Sequence, residues 1–388
     1  MHQPSKLNKL EKINPFRVMT VMHRAAALEA EGRKIVHMEV GEPDFNTATP
    51  IIEAAKSALD AGFTHYTAAA GIDELRHALA RHYLERYGVI VDEERILVTP
   101  GASGGLSLLA NLLVGEGEGV LITDPAYPCV RNFIQLMNAS PQLVPVERSQ
   151  NFQPTVQQLE SAADSNTCGV WLASPSNPTG SALDREALAG ISNWCMDKSL
   201  HLLVDEIYHG LHYIDDLPSV LEIDDSAFVV NSFSKYFGMT GWRLGWIVVP
   251  DYAVDKARIL AQNFYISPSS IAQHAALAGF TEATRLILEQ RRQSFRERRD
   301  FLCASLREIG FILAEEVQGA FYVYADISGF SENSEQFCHD MLENHGVAIT
   351  PGTDFGDFKA RQFVRFAFTT SMDDLALGVE RLRRALQM

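Results

Sequence analysis

Ser232-Phe233-Ser234-Lys235-Tyr236-Phe237-Gly238-Met239-Thr240-Gly241-Trp242-Arg243 lies between two apolar runs, Phe228-Val229-Val230-Asn231 before it and Leu244-Gly245-Trp246-Ile247-Val248-Val249 after it. Short apolar runs bounded by glycine and polar residues read as buried strands, so the stretch between them is a loop at a strand end. Upstream the same pattern repeats, with strands expected over residues 96–99, 120–123, 143–146, 169–173 and 201–205, each separated by a helix-length amphipathic segment. Strands alternating with helices predict an α/β fold with a mainly parallel seven-stranded sheet covered on both faces. Ligands of such sheets sit at the carboxyl ends of the strands. Thr99, Asp124, Ser174, Asp205 and Ser232 all fall there, and a site is expected among them.

The loop itself has a chemistry. Ser232 and Ser234 precede Lys235, Gly238 and Gly241 follow it, and Arg243 stands eight positions on. Hydroxyls and a guanidinium suit a phosphate, because arginine offers paired N–H donors to two oxygens and serine adds short hydrogen bonds. A primary amine beside a phosphate site is what a Schiff base with pyridoxal phosphate requires, since that cofactor carries an aldehyde and a phosphate on one ring. The plain alternative is a surface lysine in a turn. Thr99-Pro100-Gly101-Ala102-Ser103-Gly104-Gly105 then joins a strand to a helix expected over residues 106–114, and glycines with a serine at a helix N-terminus make an anion cradle.

Three more stretches give the loop company: Ser174-Pro175-Ser176-Asn177-Pro178-Thr179-Gly180, Val204-Asp205-Glu206-Ile207-Tyr208 and Gly241-Trp242-Arg243. In order and rough spacing, from about Pro15 to the C-terminus, the chain resembles the class I aminotransferases, fold-type-I pyridoxal-phosphate enzymes that include aspartate aminotransferase. The resemblance implies a role for each matching position. Lys235 is the Schiff-base lysine, Asp205 faces the pyridine nitrogen, and Tyr208 and Asn177 donate to the cofactor's phenolate oxygen. Tyr127, in Asp124-Pro125-Ala126-Tyr127-Pro128, lies over the ring. Gly101, Ala102, Ser103, Ser232, Ser234 and Arg243 gather the phosphate. Gly41 and Arg365 hold the substrate carboxylate. Tyr66 reaches from one subunit to the cofactor phosphate of the other, which implies a homodimer.

Outside these motifs the chain reads more plainly. Residues 1–14 are expected to be a flexible arm, followed by helices over residues 19–31, 50–61 and 72–87, the second with Thr49 as its cap and Pro50 in its first turn. Residues 36–40 are expected as a strand ending in Gly41-Glu42-Pro43, which pattern alone would call a turn. Past residue 279 long charged helices dominate, as over 284–308, with strands at 321–326 and 363–368 and a last helix over 372–386. This gives a large domain over residues 46–279 and a smaller α+β domain from residues 1–45 and 280–388. In Phe363-Val364-Arg365-Phe366-Ala367-Phe368, period-two alternation sets Arg365 on the face opposite Val364, Phe366 and Phe368, where it is either solvated or, by the resemblance, functional. Arg361 is expected at the surface.

Several classes are set aside. A net charge of -16 opposes nucleic acid or an anionic membrane as partner. Five cysteines, Cys129, Cys168, Cys195, Cys303 and Cys338, are scattered with no CxxC pair, which fits a reducing, cytoplasmic setting. No window approaches the length of a membrane span, and the N-terminus lacks the apolar core of a signal peptide. Gly115-Glu116-Gly117-Glu118-Gly119 follows a helix and precedes a strand, the wrong order for a dinucleotide cradle. Asp205 with His209 and His212 lacks a second ligand pair, so no metal is expected.

Two rivals remain. Gly101-Ala102-Ser103-Gly104-Gly105 matches a hydrolase nucleophile elbow, for which Asp205 and His274 or His339 are the only partners to nominate, and that reading leaves Lys235 and Arg243 unexplained. A carbon–sulfur β-lyase would use the same lysine, aspartate and arginine. The expected reaction is transfer of the amino group of an L-amino acid to a 2-oxo acid, 2-oxoglutarate or pyruvate, through a Lys235 aldimine. Related enzymes that take dicarboxylic substrates commonly borrow an arginine from the other subunit, which the sequence does not place, or carry a cation near the position of Ser103. A serine there favours a neutral donor such as alanine or an aromatic amino acid.

Overall fold

The computed structural model describes Ile13 and residues 15–386. The arm expected over residues 1–14 lies, Ile13 aside, outside the described residues. At the centre is a seven-stranded sheet: β1 (Ile96–Thr99), β2 (Gly119–Asp124), β3 (Ser140–Pro145), β4 (Thr167–Ala173), β5 (His201–Asp205), β6 (Phe228–Ser232) and β7 (Gly245–Val248). Their spatial order is β1-β7-β6-β5-β4-β2-β3. All neighbours run parallel except β7, which is antiparallel to both β1 and β6.

Burial on both faces explains why these strands are apolar runs and not alternating ones. Along β6, Val229 packs into one apolar cluster with Val204 and Val248, while Phe228 and Val230 pack into another with Leu203 and Ile247. The second cluster is roofed by helix α2 (Gly101–Leu113) through Leu106, Leu109 and Leu113. Helix α2 starts at Gly101, five residues before the expected start, because Gly101 takes a left-handed φ of +72° that turns the chain straight from β1 into the helix. Strand β3 lies three residues earlier than its apolar residues suggested. Its limits are set by pairing with β2 from Gly119↔Ser140 to Asp124↔Pro145, not by its own hydrophobicity.

A second, four-stranded sheet contains Tyr322–Asp326 beside Phe363–Ala367, antiparallel, with Tyr324 opposite Arg365. The expected strand over residues 36–40 shrinks to Val36–His37, which pairs in parallel with Val347–Ala348. Helix α1 (Arg17–Ala30) is tied to this side of the molecule: Arg24 grips Glu343 with two hydrogen bonds of 2.6 and 2.8 Å, and the Asp354 carboxylate accepts from the Arg17 and Val18 N–H groups at 2.8 and 3.3 Å. An acid at a helix N-terminus satisfies donors that have no partner within the helix. Thr49 does not cap its helix. The cap is Ala48, with extended backbone, and Thr49 is the first helical residue ahead of Pro50. Among the described residues no helix is long and apolar enough to cross a membrane.

Of the polar residues expected to gather at the strand ends, three are used elsewhere. Thr99 donates to the Gly101 carbonyl at 2.9 Å, and Ser174 accepts from Leu183 N at 2.9 Å. Asp124 is buried and accepts from Asp357 N and Phe358 N, each at 3.1 Å, so it fastens the loop of residues 356–358 onto the large sheet. Asp124→Ala leaves those two part-buried N–H groups without their carboxylate acceptor. It should destabilise the protein by about 2 kcal/mol, read as a lower urea midpoint, with Asp124→Asn intermediate.

Candidate active site

The carboxyl ends of β5 and β6 lie side by side, Asp205 opposite Val230, and open into a cavity of about 410 Å3. Lys235, Asp205, Tyr208, Asn177, Tyr127, Ala102, Ser103, Ser232, Ser234, Arg243, Gly41 and Arg365 all line it. Tyr66 does not. It is 81 % exposed on the surface of its own chain.

Lys235 donates from Nζ to the Gly41 carbonyl at 2.6 Å. Burial, and then the Arg365 and Arg243 charges, push its amine down to about 8. Gly41 can make this contact only without a side chain, since a Cβ there would come within 1.8 Å of Tyr322 Oη. The segment that presents Gly41 is clamped on both sides. Asp44 accepts two bonds from Arg298 at 2.8 and 2.9 Å, and Thr47 donates to the Gly238 carbonyl at 2.8 Å while accepting from Trp242 Nε1 at 2.9 Å.

An anion cradle lies at the start of α2. Its first N–H groups have no helical partners, and the helix dipole favours negative charge there. Arg243 adopts a left-handed φ of +55°, an uncommon conformation for a residue with a side chain, and sets its guanidinium across Gly101, where a Cβ would lie 2.7 Å from Nη2. Ser234 N donates to Ser232 Oγ, and the two hydroxyls are 3.0 Å apart, which draws both serines to the same rim. Backbone N–H groups, two hydroxyls and an arginine fit a phosphate.

Asp205 is buried and its Oδ1 accepts from Ile207 N at 3.0 Å. Burial raises its carboxyl to about 7, opposed by the Ile207 N–H and the Lys235 charge. A buried carboxylate without a salt-bridge partner suits a cationic ring nitrogen, which would hold it ionised. The donor set therefore fits both ends of pyridoxal phosphate.

Arg365 is not solvated: it is 2 % exposed, with its guanidinium 4.3 Å from the Tyr322 ring centre and 4.8 Å from that of Phe355. It donates from Nη1 to Asn177 Oδ1 at 2.9 Å and from Nη2 to the Glu39 carbonyl. Its Nε is buried with no hydrogen-bond partner among the described residues. A buried, unpaired donor on a cation beside a cavity calls for an anion. Arg361 is exposed, as expected.

Tyr322 was not found from the sequence. Its hydroxyl is 3.1 Å from that of Tyr208, it stacks under Arg365, and it abuts Gly41. Its only sequence signal is a position in the 321–326 strand, which any core tyrosine would share. The remaining nominations separate. Among the described residues no histidine lines the cavity, and His274 instead stacks on Phe63 with ring centres 4.3 Å apart. Ser103 sits in the first turn of α2 and not on a strand-to-helix elbow. His209 bonds Tyr87 Oη at 2.7 Å, and no cluster of three or more His, Cys, Asp or Glu able to hold a metal occurs among the described residues.

An amine, a phosphate cradle, a buried carboxylate and an unpaired arginine converging at the strand ends of an open α/β sheet define a pyridoxal-phosphate enzyme of fold type I. The profile of the family described as aminotransferase class I and II matches residues 33–382, and the chain belongs to that family. It is similar to the valine–pyruvate aminotransferase of Mycobacterium tuberculosis, 37% identical with 95% of this chain and 96% of that protein covered. It is also similar to the aspartate aminotransferase of Pyrococcus horikoshii, 33% identical with 97% and 95% covered. Among solved structures, an aminotransferase from Mycobacterium tuberculosis superposes with a TM-score of 0.95 at 36% identity over the whole of both chains. Aspartate aminotransferase from Thermus thermophilus with maleate gives 0.94 at 31%, again over the whole of both chains. The chain is thus a pyridoxal-phosphate-dependent aminotransferase.

Two outcomes follow from this geometry. Gly101→Ala drives a methyl group into Arg243 and should lower cofactor retention at least tenfold, measured by visible absorbance after dialysis, with the circular dichroism spectrum unchanged. The Lys235 amine reacts only when neutral, and its lowered value places that change near 8. Cofactor capture by the stripped protein should therefore quicken roughly tenfold per pH unit below that point and level off above it, read by stopped-flow absorbance. Capture still climbing at that slope to pH 10 would mean that the amine is not shifted.

Proposed function

We propose that this chain moves the amino group of an L-amino acid to a 2-oxo acid, 2-oxoglutarate or pyruvate, with Lys235 as the group that binds the cofactor and shuttles the proton. The observation that carries this is the convergence of Lys235, Asp205, Arg243 and Arg365 on one cavity. Bound pyridoxal phosphate supplies an aldehyde that condenses with amines and a ring that takes up the electrons released at the substrate Cα.

The protein's own part divides among these residues. Gly101, Ala102, Ser103, Ser232, Ser234 and Arg243 would hold the phosphate. Asp205 would keep its proton partner, the ring nitrogen, charged, and the burial of Asp205 makes that pairing strong. Tyr208 would donate to the phenolate oxygen together with the Asn177 amide, whose Oδ1 is already taken by Arg365. Tyr127 would cover the ring. Arg365 would grip the α-carboxylate, using the Nε left without a partner, and Gly41 would close that side. Lys235 Nζ, with its lowered affinity for protons, would take the proton from Cα and deliver it to what was the cofactor's aldehyde carbon, which is the shift that leaves the amino group on the cofactor.

A homodimer belongs to the same proposal. Tyr66 is out of reach of its own cavity and stands exposed close to exposed Phe63, as expected if it serves a second copy. So does the division into residues 46–279 and residues 1–45 with 280–388, which the pairing of Val36–His37 with Val347–Ala348 supports. A cytoplasmic setting is proposed from the five cysteines, all of them free.

The test is chemical. Borohydride treatment of the holoenzyme should fix the cofactor on Lys235, located by peptide mass mapping, and Lys235→Ala should lower kcat by at least a thousandfold while leaving the fold intact. Lys235→Ala at the native rate would falsify the proposal. Pyruvate and ammonia released from cystathionine, with no amino exchange between donor and acceptor, would move the chain to the β-lyases instead.

A further inference from the structure

Resting on the aminotransferase reading above, we infer that the substrate side chain is uncharged and apolar, and that Met19 and Met22 of α1, with Phe16 just ahead of them, form the wall that selects it. The inference starts from a count of cations. Among the described residues, Lys235, Arg243 and Arg365 are the three cationic residues lining the cavity, and cofactor, phosphate and α-carboxylate would occupy all three. The remaining charges there, Asp205 and Glu42, are acidic. A second carboxylate on the substrate would thus enter a partly buried site with no cationic partner from the described residues of its own chain and with Glu42 to oppose it. Four cations line the adjoining cavity: Arg17 pairs with Glu335, Arg131 with Asp357 at 3.1 Å and Lys359 with Glu147 at 2.7 Å, while Arg361 is exposed and does not line the substrate cavity.

What the cavity offers instead is hydrocarbon and sulfur. Phe16, Val18, Met19, Met22, Val40 and Ile207 line it. Met19 and Met22 are three residues apart on α1 and Val18 and Met22 four apart, so they share one helix face. Met19 is 43 % exposed in spite of being apolar, in the position of a wall awaiting a side chain. Unbranched thioethers adapt to different apolar shapes, so the wall suits a range of aliphatic or aromatic side chains and not a single one. The wall is also held in place. Asp354 caps the N-terminal turn of α1, and Arg24 ties the helix to Glu343. Donor and acceptor pass in turn through the same cavity, so the same wall favours pyruvate over 2-oxoglutarate as acceptor.

The test uses holoenzyme in two arms. In the first, unreactive acids are titrated calorimetrically: 4-methylpentanoate and 3-phenylpropanoate against succinate and glutarate. In the second, single-turnover kinetics compare alanine, 2-aminobutyrate, norvaline and norleucine with aspartate and glutamate, and pyruvate with 2-oxoglutarate. The monocarboxylates should bind at least tenfold tighter than the dicarboxylates. Rates should rise up to about fourfold for each added methylene. Met19→Lys, at a half-exposed position that tolerates charge, should narrow or reverse the preference by tenfold or more, and Met22→Ala should flatten the methylene series. Dicarboxylates that bind as tightly as the apolar acids, aspartate or 2-oxoglutarate reacting faster than norleucine or pyruvate, or a preference unmoved by both variants would overturn the inference. Failure of every amino acid to react would instead reject the aminotransferase reading, and the binding arm would still decide the character of the wall.

Discussion

Three cationic side chains, Lys235, Arg243 and Arg365, face one cavity with only two carboxylates, Asp205 and Glu42, to offset them. Repulsion and burial together lower the Lys235 amine toward neutrality, and neither would act if the three groups were spread over the surface. The cations are kept apart by rigid supports. Arg365 rests between two aromatic rings and bonds to backbone and amide acceptors, and Arg243 is fixed by an unusual backbone conformation across Gly101. Lys235 leans on the Gly41 carbonyl, the one hydrogen-bond acceptor it has among the described residues. The arrangement is one of excess positive charge waiting for anions, which suits a phosphorylated cofactor and a carboxylic acid substrate.

These supports come from both sheets. The large sheet supplies Asp205, Tyr208, the Lys235 loop and the start of α2, while the smaller one supplies Arg365 and Tyr322. The segment from Gly41 to Thr47 runs between them, bonded by Asp44 to Arg298 and by Thr47 to the Lys235 loop. Asp124 adds a second tie, while Asp354 fastens α1 to the smaller unit. Any shift of the smaller unit therefore carries Arg365, Gly41 and the methionine face of α1 together. The proposed carboxylate grip and the proposed side-chain wall are in this way mechanically joined.

Much of this was legible in the sequence, for local reasons. The central strands announce themselves because strands buried on both faces must be apolar throughout, and β5 begins and ends where its pattern said. The residues nearest the chemistry, Lys235, Asp205, Asn177 and Arg243, fall within short motifs whose spacing is fixed by one strand end and its loop. Arg365 could be placed on the far face of its strand, but alternation alone cannot tell solvent from a buried site on the other side. Asp124 was misjudged on the same grounds. A strand end supplies the right location, and only its partners, Asp357 N and Phe358 N, reveal that it ties a loop.

The sequence by itself determined the α/β class, and it pointed to the strand ends and to Lys235 as the centre of the proposed site, because period, turn residues and short-range motifs are local properties of the chain. Tertiary structure alone decided the rest. Tyr322, the strap through Asp44 and the α1 wall are far in sequence from the residues they touch, with Asp44 and Arg298 254 positions apart. It also decided the protonation of the site, since the shifts of Lys235 and Asp205 come from burial and from charges brought in by distant elements. Such contacts leave no periodic trace in the chain. They depend on which surfaces meet when two sheets pack, and that is a property of the whole fold.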